Sequence, residues 1–398
     1  MNPRVLDLCE HQPCSLDKDA LTEEQAKALH ESFGAQVSLE PPSFLTDGAW
    51  RLTSQGWVGY IPLDDALHFA LASKVPISSL FGMLEYAYNL DFRTLDGLTT
   101  AESIPELYKR LAALLANRIL YRIKRGVYRS YVNEQDRLPY VRGRVDFLAH
   151  LRNPALVKLP CVFEDHTSDL EDNQILLWTL TRILESGICT SRSLNSVRQA
   201  RRALMGLSSH LPFGADSCVG RTYNRLNNDY ESMHALCRFF LDHAGPMLHQ
   251  GDRQMIPILI NMERLFESFV VEWMKEHLPK EHPQYAVRGQ ERIQFNMGQQ
   301  VSIRIDITVK DITTGRTCCV LDTKYKAPDS PSTGDMEQVV AYAEATNSPR
   351  AVLIYPVELA SPVEGQWGDV RVQSLAFRLD GNLDSAGAEM LRRLFAST

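Results

Sequence analysis

Apolar and polar residues change their period along this chain, and each change marks an expected element. From Ser302 to Lys310, Ile303, Ile305, Ile307 and Val309 alternate with Arg304, Asp306, Thr308 and Lys310, the period of two that a half-buried strand requires. Beyond it, Cys318-Cys-Val-Leu321 is a continuous apolar run leading into Asp322-Thr-Lys324-Tyr325, as an interior strand would read. Asp311-Ile-Thr-Thr-Gly315-Arg316 lies between them and supplies a reversal, so the two segments are expected to pair as an antiparallel hairpin. Asp306 then projects from the polar face of its strand. Asp322 and Lys324, two residues apart, point to the same side of theirs.

A helical period flanks this hairpin. Residues 256–273 carry apolar side chains at 258, 259, 262, 265, 266, 269, 270 and 273, which predicts an amphipathic helix with Glu263 and Glu267 one turn apart on its flank. Downstream, Gly334-Asp335-Met-Glu-Gln338-Val-Val-Ala-Tyr342 opens another helix. Asp335 lies near its start, where the dipole favours an acid, and Gln338 and Tyr342 share a face. Arg350-Ala-Val-Leu-Ile-Tyr355 reads as a further buried strand.

Earlier in the chain the pattern predicts a helix over 21–33, short strands around 50–52 and 57–61 turned by Ser54-Gln55-Gly56, and a helix over 77–88. Residues 99–250 read as mainly helical, with helices at 103–125, 170–187, 194–207 and 222–245 around a β-like stretch at 127–150. Asp165, Asp169, Glu171 and Asp172 precede the helix from Asn173, an acidic entry that suits capping and the dipole better than a second metal site. The expected architecture is α+β and multidomain. A β-containing region spans 1–98, a mainly helical region 99–250, and an α/β region 251–398, with Gly251 and Pro257 punctuating the last boundary.

Composition narrows the function classes. A chain of 398 residues with 44 % hydrophobic content has room for two or three cores. No long apolar span suggests a membrane helix, and the first ten residues lack the pattern of a signal peptide, so the cytoplasm is expected. Eight cysteines show no Cys-x-x-Cys spacing, which points away from zinc and disulfides. No Gly-x-x-x-x-Gly-Lys-Ser/Thr loop is present, so the chain is expected to bind no nucleotide by itself. The formal net charge of −7 does not suit a protein that grips DNA alone, because neutralising phosphates supplies most non-specific affinity. Two basic bunches stand out: Lys109, Arg110, Arg118, Arg122, Lys124, Arg125, Arg129, Arg137, Arg142 and Arg144, and then Arg192, Arg198, Arg201 and Arg202.

The hairpin carries the candidate chemistry. Asp322-Thr-Lys324 is the single place where an acid stands two residues before a lysine; chance supplies about as many, so the surroundings decide. Mg²⁺ takes one or two carboxylates together with phosphate and water, and Asp306 and Asp322 are candidates for that role. Lys324 is the candidate for orienting water or stabilising charge on phosphate oxygens. The alternative is a surface Asp–Lys pair of little energetic worth.

The order helix, strand pair, helix, strand resembles the core of the PD-(D/E)xK nucleases. That resemblance implies a mixed sheet flanked by helices and an acid from the first helix completing the metal site: Glu267, with Glu263 in reserve. Gln338 and Tyr342 are then expected to support the site. Ile305 stands before Asp306 where many members have proline.

A second resemblance spans about residues 50–345. Gly126-Val-Tyr128-Arg129-Ser-Tyr131 and Leu138-Pro139-Tyr140-Val-Arg142-Gly143-Arg144-Val-Asp146-Phe147 are similar to the central signature of the McrC family, the nuclease subunits of McrBC restriction systems. Gly56-Trp57-Val-Gly59-Tyr-Ile-Pro62, Pro76-Ile-Ser-Ser-Leu-Phe-Gly-Met83-Leu84, Leu265-Phe-Glu267 and Leu321-Asp322-Thr-Lys324-Tyr-Lys326 follow the same order. The resemblance implies a Mg²⁺-dependent DNA endonuclease working with an AAA+ GTPase ring, McrB, which reads methylated cytosine and moves double-stranded DNA. The first 250 residues would dock on that ring. Arg142 and Arg144, around a flexible Gly143, either touch phosphates or a partner's acidic surface, or tie down nearby loops. A stand-alone DNA-processing nuclease, and an activating adaptor with an inactive core, are the other readings.

Overall fold

The structure is a computed structural model that describes residues 3–90, 103–153, 155–189, 191–245, 248–250, 253–255, 257–296 and 300–396. The boundaries expected near 98 and at Gly251, and the helix start expected at Ile256, lie outside those residues, as does the side chain of Arg192. The chain divides into two compact units. One contains residues 1–104, 245–251 and 257–398; the other contains 105–244 and 252–256. The first and last of the three expected regions therefore share one unit.

The first unit begins with β1 (Arg4–Cys9), β2 (Cys14–Leu16), α1 (Glu23–Phe33), β3 (Val37–Glu40), β4 (Trp50–Ser54), β5 (Trp57–Pro62), β6 (Leu67–Ala72) and α2 (Ile77–Tyr88). Thr22 and Gln25 close a reciprocal capping box at the start of α1, which sets its first turn. The turn at 54–56 does not make a hairpin: β4 lies between β2 and β3, whereas β5 belongs to a different sheet. Leu8, Leu29, Phe33, Leu52, Ile61 and Phe69 form a core between these layers.

The second unit contains α3 (Ile104–Arg125, counted from Pro105), β7 (Ser130–Leu138), β8 (Arg144–Val145), α4 (Phe147–Arg152), β9 (Leu159–Thr167), α5 (Glu171–Glu185), α6 (Ser191–Met205) and α7 (Tyr230–Asp242). The β-like stretch supplies β7 and β8, and β9, absent from the sequence reading, lies between them. The helix expected over 222–245 starts only at Tyr230. Asn227 accepts from the Asn224 amide at 2.7 Å and Asn224 from the Leu226 amide at 2.8 Å, and such local bonds compete with a helical turn. The acidic entry to α5 is engaged structurally. Arg221 bridges Glu171 at 3.1 Å and Asp172 at 3.2 Å, and Asp169 accepts from the Ser209 amide at 2.6 Å and Gln174 at 2.8 Å.

The rest of the chain runs through β10 (Leu248–Gln250), β11 (Arg253–Met255), β12 (Ile258–Asn261), α8 (Met262–Glu281), β13 (Tyr285–Asn296), β14 (Gln300–Asp311), β15 (Thr317–Thr323), α9 (Thr333–Thr346), β16 (Arg350–Tyr355), β17 (Glu364–Trp367), β18 (Val370–Ala376) and α10 (Leu383–Phe395). The helix expected from 256 is corrected at its start, because 258–261 form a strand. Ile258, Leu259 and Ile260 are all buried, which an edge helix with one apolar stripe would not achieve. β12 instead completes the first unit's sheet, in the order β1-β6-β5-β12, and Asn261 caps α8 by accepting from the Arg264 amide at 2.9 Å.

A six-stranded sheet follows, in the order β13-β14-β15-β16-β18-β17. The expected hairpin is present: β14 and β15 pair antiparallel, with Ile307 opposite Leu321. β15, β16 and β18 run parallel. On one face Val339, Val340 and Ala343 of α9 pack with Ile305, Val320, Ala351 and Leu353. Trp273 of α8 packs edge-on to Phe377, and Gly387 of α10 lies against the Trp273 ring. All eight cysteines are free thiols. Among the described residues no helix is long and apolar enough to cross a membrane.

The join between β5 and β12 is so close that a Cβ on Gly59 would stand 1.9 Å from the Ile258 carbonyl oxygen. Gly59→Ala is expected to cost about 3 kcal/mol or more, as forced backbone displacement in a packed core does. Denaturant unfolding of the variant measures this; a loss below about 1 kcal/mol would mean that the sheet has room to open.

Candidate active site

Asp306, Asp322, Lys324, Gln338 and Tyr342 come together at the end of the β14–β15 ladder. The last paired residues there are Ile307 and Leu321, so one step further on Asp306 stands opposite Asp322. Asp306 takes over the ladder with its side chain: its Oδ2 accepts from the Thr323 amide at 2.9 Å and the Thr323 hydroxyl at 3.1 Å.

Asp306 also sits at a changeover in the sheet. Ile305 packs with α9, whereas Gly289, opposite Ile307, is turned to Val271 of α8. Apolar residues two apart on β14 thus serve opposite faces, where strict alternation predicts one. Gln290, across from Asp306, has φ +55° and drops out of the ladder. Such a conformation is uncommon for a non-glycine residue.

Asp322 is 1 % exposed. Lys324 Nζ lies 2.7 Å from its Oδ2, yet that oxygen has no aligned hydrogen-bond donor. Lys324 donates to Gln338 Oε1 at 2.9 Å, and Gln338 donates to the Tyr342 hydroxyl at 2.7 Å. One polar chain therefore links Asp322, Lys324, Gln338 and Tyr342. Asp335 is a further member. Its Oδ1 lies 4.0 Å from Lys324, its Oδ2 pairs with Lys326 at 2.6 Å, and it forms the capping box of α9 with Ser332.

Glu267 approaches from α8 and is held by Gln290 at 3.2 Å and Arg304 at 3.4 Å. Among the described residues no three acidic, histidine or cysteine side chains converge closely enough to hold a metal ion, so Glu267 stands beside the two aspartates and not in one cluster with them. Glu263 lies in the first turn of α8.

Electrostatics couples these groups. Burial, and then the charge of Asp306, pushes the Asp322 carboxyl up to about 6 against the pull of Lys324. Burial and Asp306 likewise raise Glu267, with Arg304 and Gln290 opposing. Burial acts to lower Lys324, but Asp322 and Asp335 outweigh it and hold the ammonium above its ordinary value. Asp335 falls below the usual carboxylate range, since Lys326 and Ser332 overcome its burial. A buried carboxylate with a second carboxylate opposite it is the donor set a hard divalent cation takes when phosphate and water supply its remaining ligands.

In the second unit Gly143 has φ +66°, and a Cβ there would stand 2.3 Å from the Val162 carbonyl oxygen. Arg142 bonds Asp165 at 2.5 Å and covers the Phe163 ring at 4.1 Å, the tying-down role. Arg144 is exposed.

A profile of the family described as McrBC 5-methylcytosine restriction system component matches residues 52–356. The chain belongs to the McrBC family. The McrC resemblance read from the motifs is thereby upheld, since the matched span contains every motif that carries it. This McrBC-family chain is also similar to a chain of the refined half-complex from a tetradecameric assembly of Thermococcus gammatolerans McrB AAA+ hexamers with bound McrC. The identity is 16 %, the TM-score 0.55, and the match covers 98 % of this chain and 100 % of that one. At that identity the likeness is one of fold. A chain of the cryo-EM structure of the Thermococcus gammatolerans McrBC complex matches at 17 % identity over 69 % of this chain and 88 % of that one, with a TM-score of 0.44. No curated protein matches.

Sequence reading did not reach Gln290, Arg304, Thr323 or Lys326 as members of the site. Gln290 and Arg304 carry no local signal, whereas Lys326 lies within the McrC-like motif and Asp335 at the start of a helix.

The Asp322 shift has a stability consequence. Its carboxyl ionises near 3.8 in the unfolded chain and near 6 in the folded one, so between these values the folded state binds more protons. Stability of the metal-free protein should rise as pH falls from 7 through 6, by up to about 3 kcal/mol relative to Asp322→Asn. Unfolding of both proteins in chelator between pH 4 and 7 checks this; a difference independent of pH would remove the shift.

Proposed function

We propose that this chain is the DNA-cutting subunit of a modification-dependent restriction complex, hydrolysing phosphodiesters with Mg²⁺ when an AAA+ GTPase partner activates it. The observation that carries the reading is Asp306 opposite the buried Asp322, with Lys324 held between Asp322 and Gln338. The sheet with α8 and α9 on it is read as a PD-(D/E)xK core.

Asp306 and Asp322 would hold Mg²⁺, with Glu267 supporting from beside Asp306. Bound there, the cation supplies polarisation of the phosphate and a water of lowered pKa. Lys324, kept charged by its acidic neighbours, stabilises negative charge developing on the phosphate oxygens. Gln338, itself held by Tyr342, gives the ammonium a second partner beside Asp322, and the two together fix its reach before the reaction.

The partner is inferred by likeness, from McrB AAA+ hexamers with bound McrC. The net charge of −7 supports a division of labour in which a partner supplies most of the DNA affinity and reads methylated cytosine. The second unit offers a docking surface: α4 has no buried residue, and Phe147, Leu148, Leu151 and Val157 are each more than two-thirds exposed. Exposed apolar groups bunched this way mark interaction sites.

Asp322→Ala or Lys324→Ala should lower cleavage of methylated DNA at least about a hundredfold while stimulation of the partner's GTPase is unchanged. Cutting at the parental rate by the double variant would sink the assignment. Phe147→Asp with Leu148→Asp should do the reverse of the first pair, abolishing GTPase stimulation and losing cleavage only as a consequence. Nicking assays and GTP turnover with an McrB-type AAA+ partner measure both.

A further inference from the structure

Glu10 follows β1 directly, and its side chain is completely buried. A carboxylate in that position is costly unless something holds it. Its Oε2 accepts from the Tyr325 hydroxyl at 3.2 Å and from the Lys74 amide at 3.5 Å. Oε1 has no hydrogen-bond partner and lies 3.6 Å from His11 Nε2. The backbone around it is fixed from several sides. The Glu10 amide donates to Ala72 O at 3.1 Å, the His11 amide donates to Ser54 O at 3.0 Å, and His11 then turns the chain away with φ +57°. A left-handed conformation at a non-glycine residue persists where its surroundings enforce it.

Tyr325 is the residue after Lys324. Successive side chains of an extended segment point to opposite sides, so Tyr325 leaves the strand away from Lys324. On that side its ring meets Phe266 of α8 at 5.9 Å between centroids, and Lys74 Nζ lies 4.5 Å above it. Phe266 immediately precedes Glu267. The Lys324 amide is bonded to Ile354 O at 2.8 Å and the Lys326 amide to Lys324 O at 2.9 Å. The end of the strand is thus gripped through its backbone on one side and through the Tyr325 hydroxyl on the other. Burial and the Glu10 charge both raise the Tyr325 phenol, which keeps it a donor.

We infer that Glu10 is a positioning residue for the candidate active site, acting through Tyr325 to fix the direction in which Lys324 leaves the strand. The inference rests on the role assigned to Lys324 above. Apolar contacts alone would hold the two segments together; the acceptor on Glu10 adds a fixed point for one hydroxyl, and that fixes the register of the strand end.

Glu10→Ala, Glu10→Gln and Tyr325→Phe in the full chain test this. Glu10→Gln retains a carbonyl acceptor for the tyrosine hydroxyl, and Tyr325→Phe removes a single oxygen, so neither needs a cavity. Two readouts are taken: acylation of the Lys324 amine by an amine-reactive ester, quantified by mass spectrometry, and cleavage with Mg²⁺ and the AAA+ partner. Glu10→Ala and Tyr325→Phe should raise Lys324 labelling about threefold and lower kcat about tenfold with KM held within about twofold, and Glu10→Gln should stay within about twofold of the parent in all three. Unchanged labelling in both Tyr325→Phe and Glu10→Ala overturns the inference. So does raised labelling with normal kcat, or a Glu10→Gln protein as impaired as Glu10→Ala. Raised labelling that is rescued by Glu10→Gln, in a parent chain that does not cut DNA, upholds the positioning of Lys324 and overturns the nuclease reading instead.

Discussion

Two carboxylates facing each other across the end of a β ladder impose the main constraint on the first unit. The charge of Asp306 works against ionisation of the buried Asp322, and cations stand beside the acids of the site. Lys324 serves Asp322, Lys326 serves Asp335, and Arg304 serves Glu267. Four acids are thereby set against three bases, which leaves the cluster with a surplus of negative charge. Side-chain bonds between elements hold several of these groups in place. Asp306 is tied to β15, Glu267 to β13 and β14, and Lys324 to α9.

Rigidity of that kind needs support behind it. α9 is fixed at its first turn by the Ser332–Asp335 capping box, so the acid that balances Lys326 also sets where Gln338 and Tyr342 emerge. α8 is launched from β12, which is bound into the sheet of β1, β6 and β5. The helix bearing Glu267 therefore takes its direction from the N-terminal strands. Helix start, strand end and sheet edge all converge on the same few charged atoms.

What the sequence revealed follows the range of the signal. The hairpin of Asp306 and Asp322 was legible because period-two alternation and a reversing Thr-Gly are local. The link from Lys324 to Gln338 was readable in part, since helical spacing placed Gln338 and Tyr342 on one face. β13 went unread because Glu291 interrupts its alternation; its carboxylate is spent on Thr308 and Lys310. The strand at 258–261 was absorbed into a helix because a short buried strand and an apolar helical turn look alike when both faces are covered. The face change at Asp306 stands opposite a left-handed Gln290, which no glycine announces. Glu10 was invisible for a different reason, since its partner lies 315 residues away.

The first unit is discontinuous: residues 105–244 are inserted between α2 and β12. During synthesis β5 emerges long before β12, and its side facing the missing strand has unpaired backbone groups throughout that interval. An open edge of this sort invites pairing with other chains, and closing it requires contacts of very high sequence separation, which form slowly. Gly59 makes the waiting edge unusually accessible, since it has no side chain there. The same delay has a protective side. A nascent or truncated chain ending before β15 has no Asp322 and no Lys324, so the proposed metal site stays incomplete until that strand has left the ribosome.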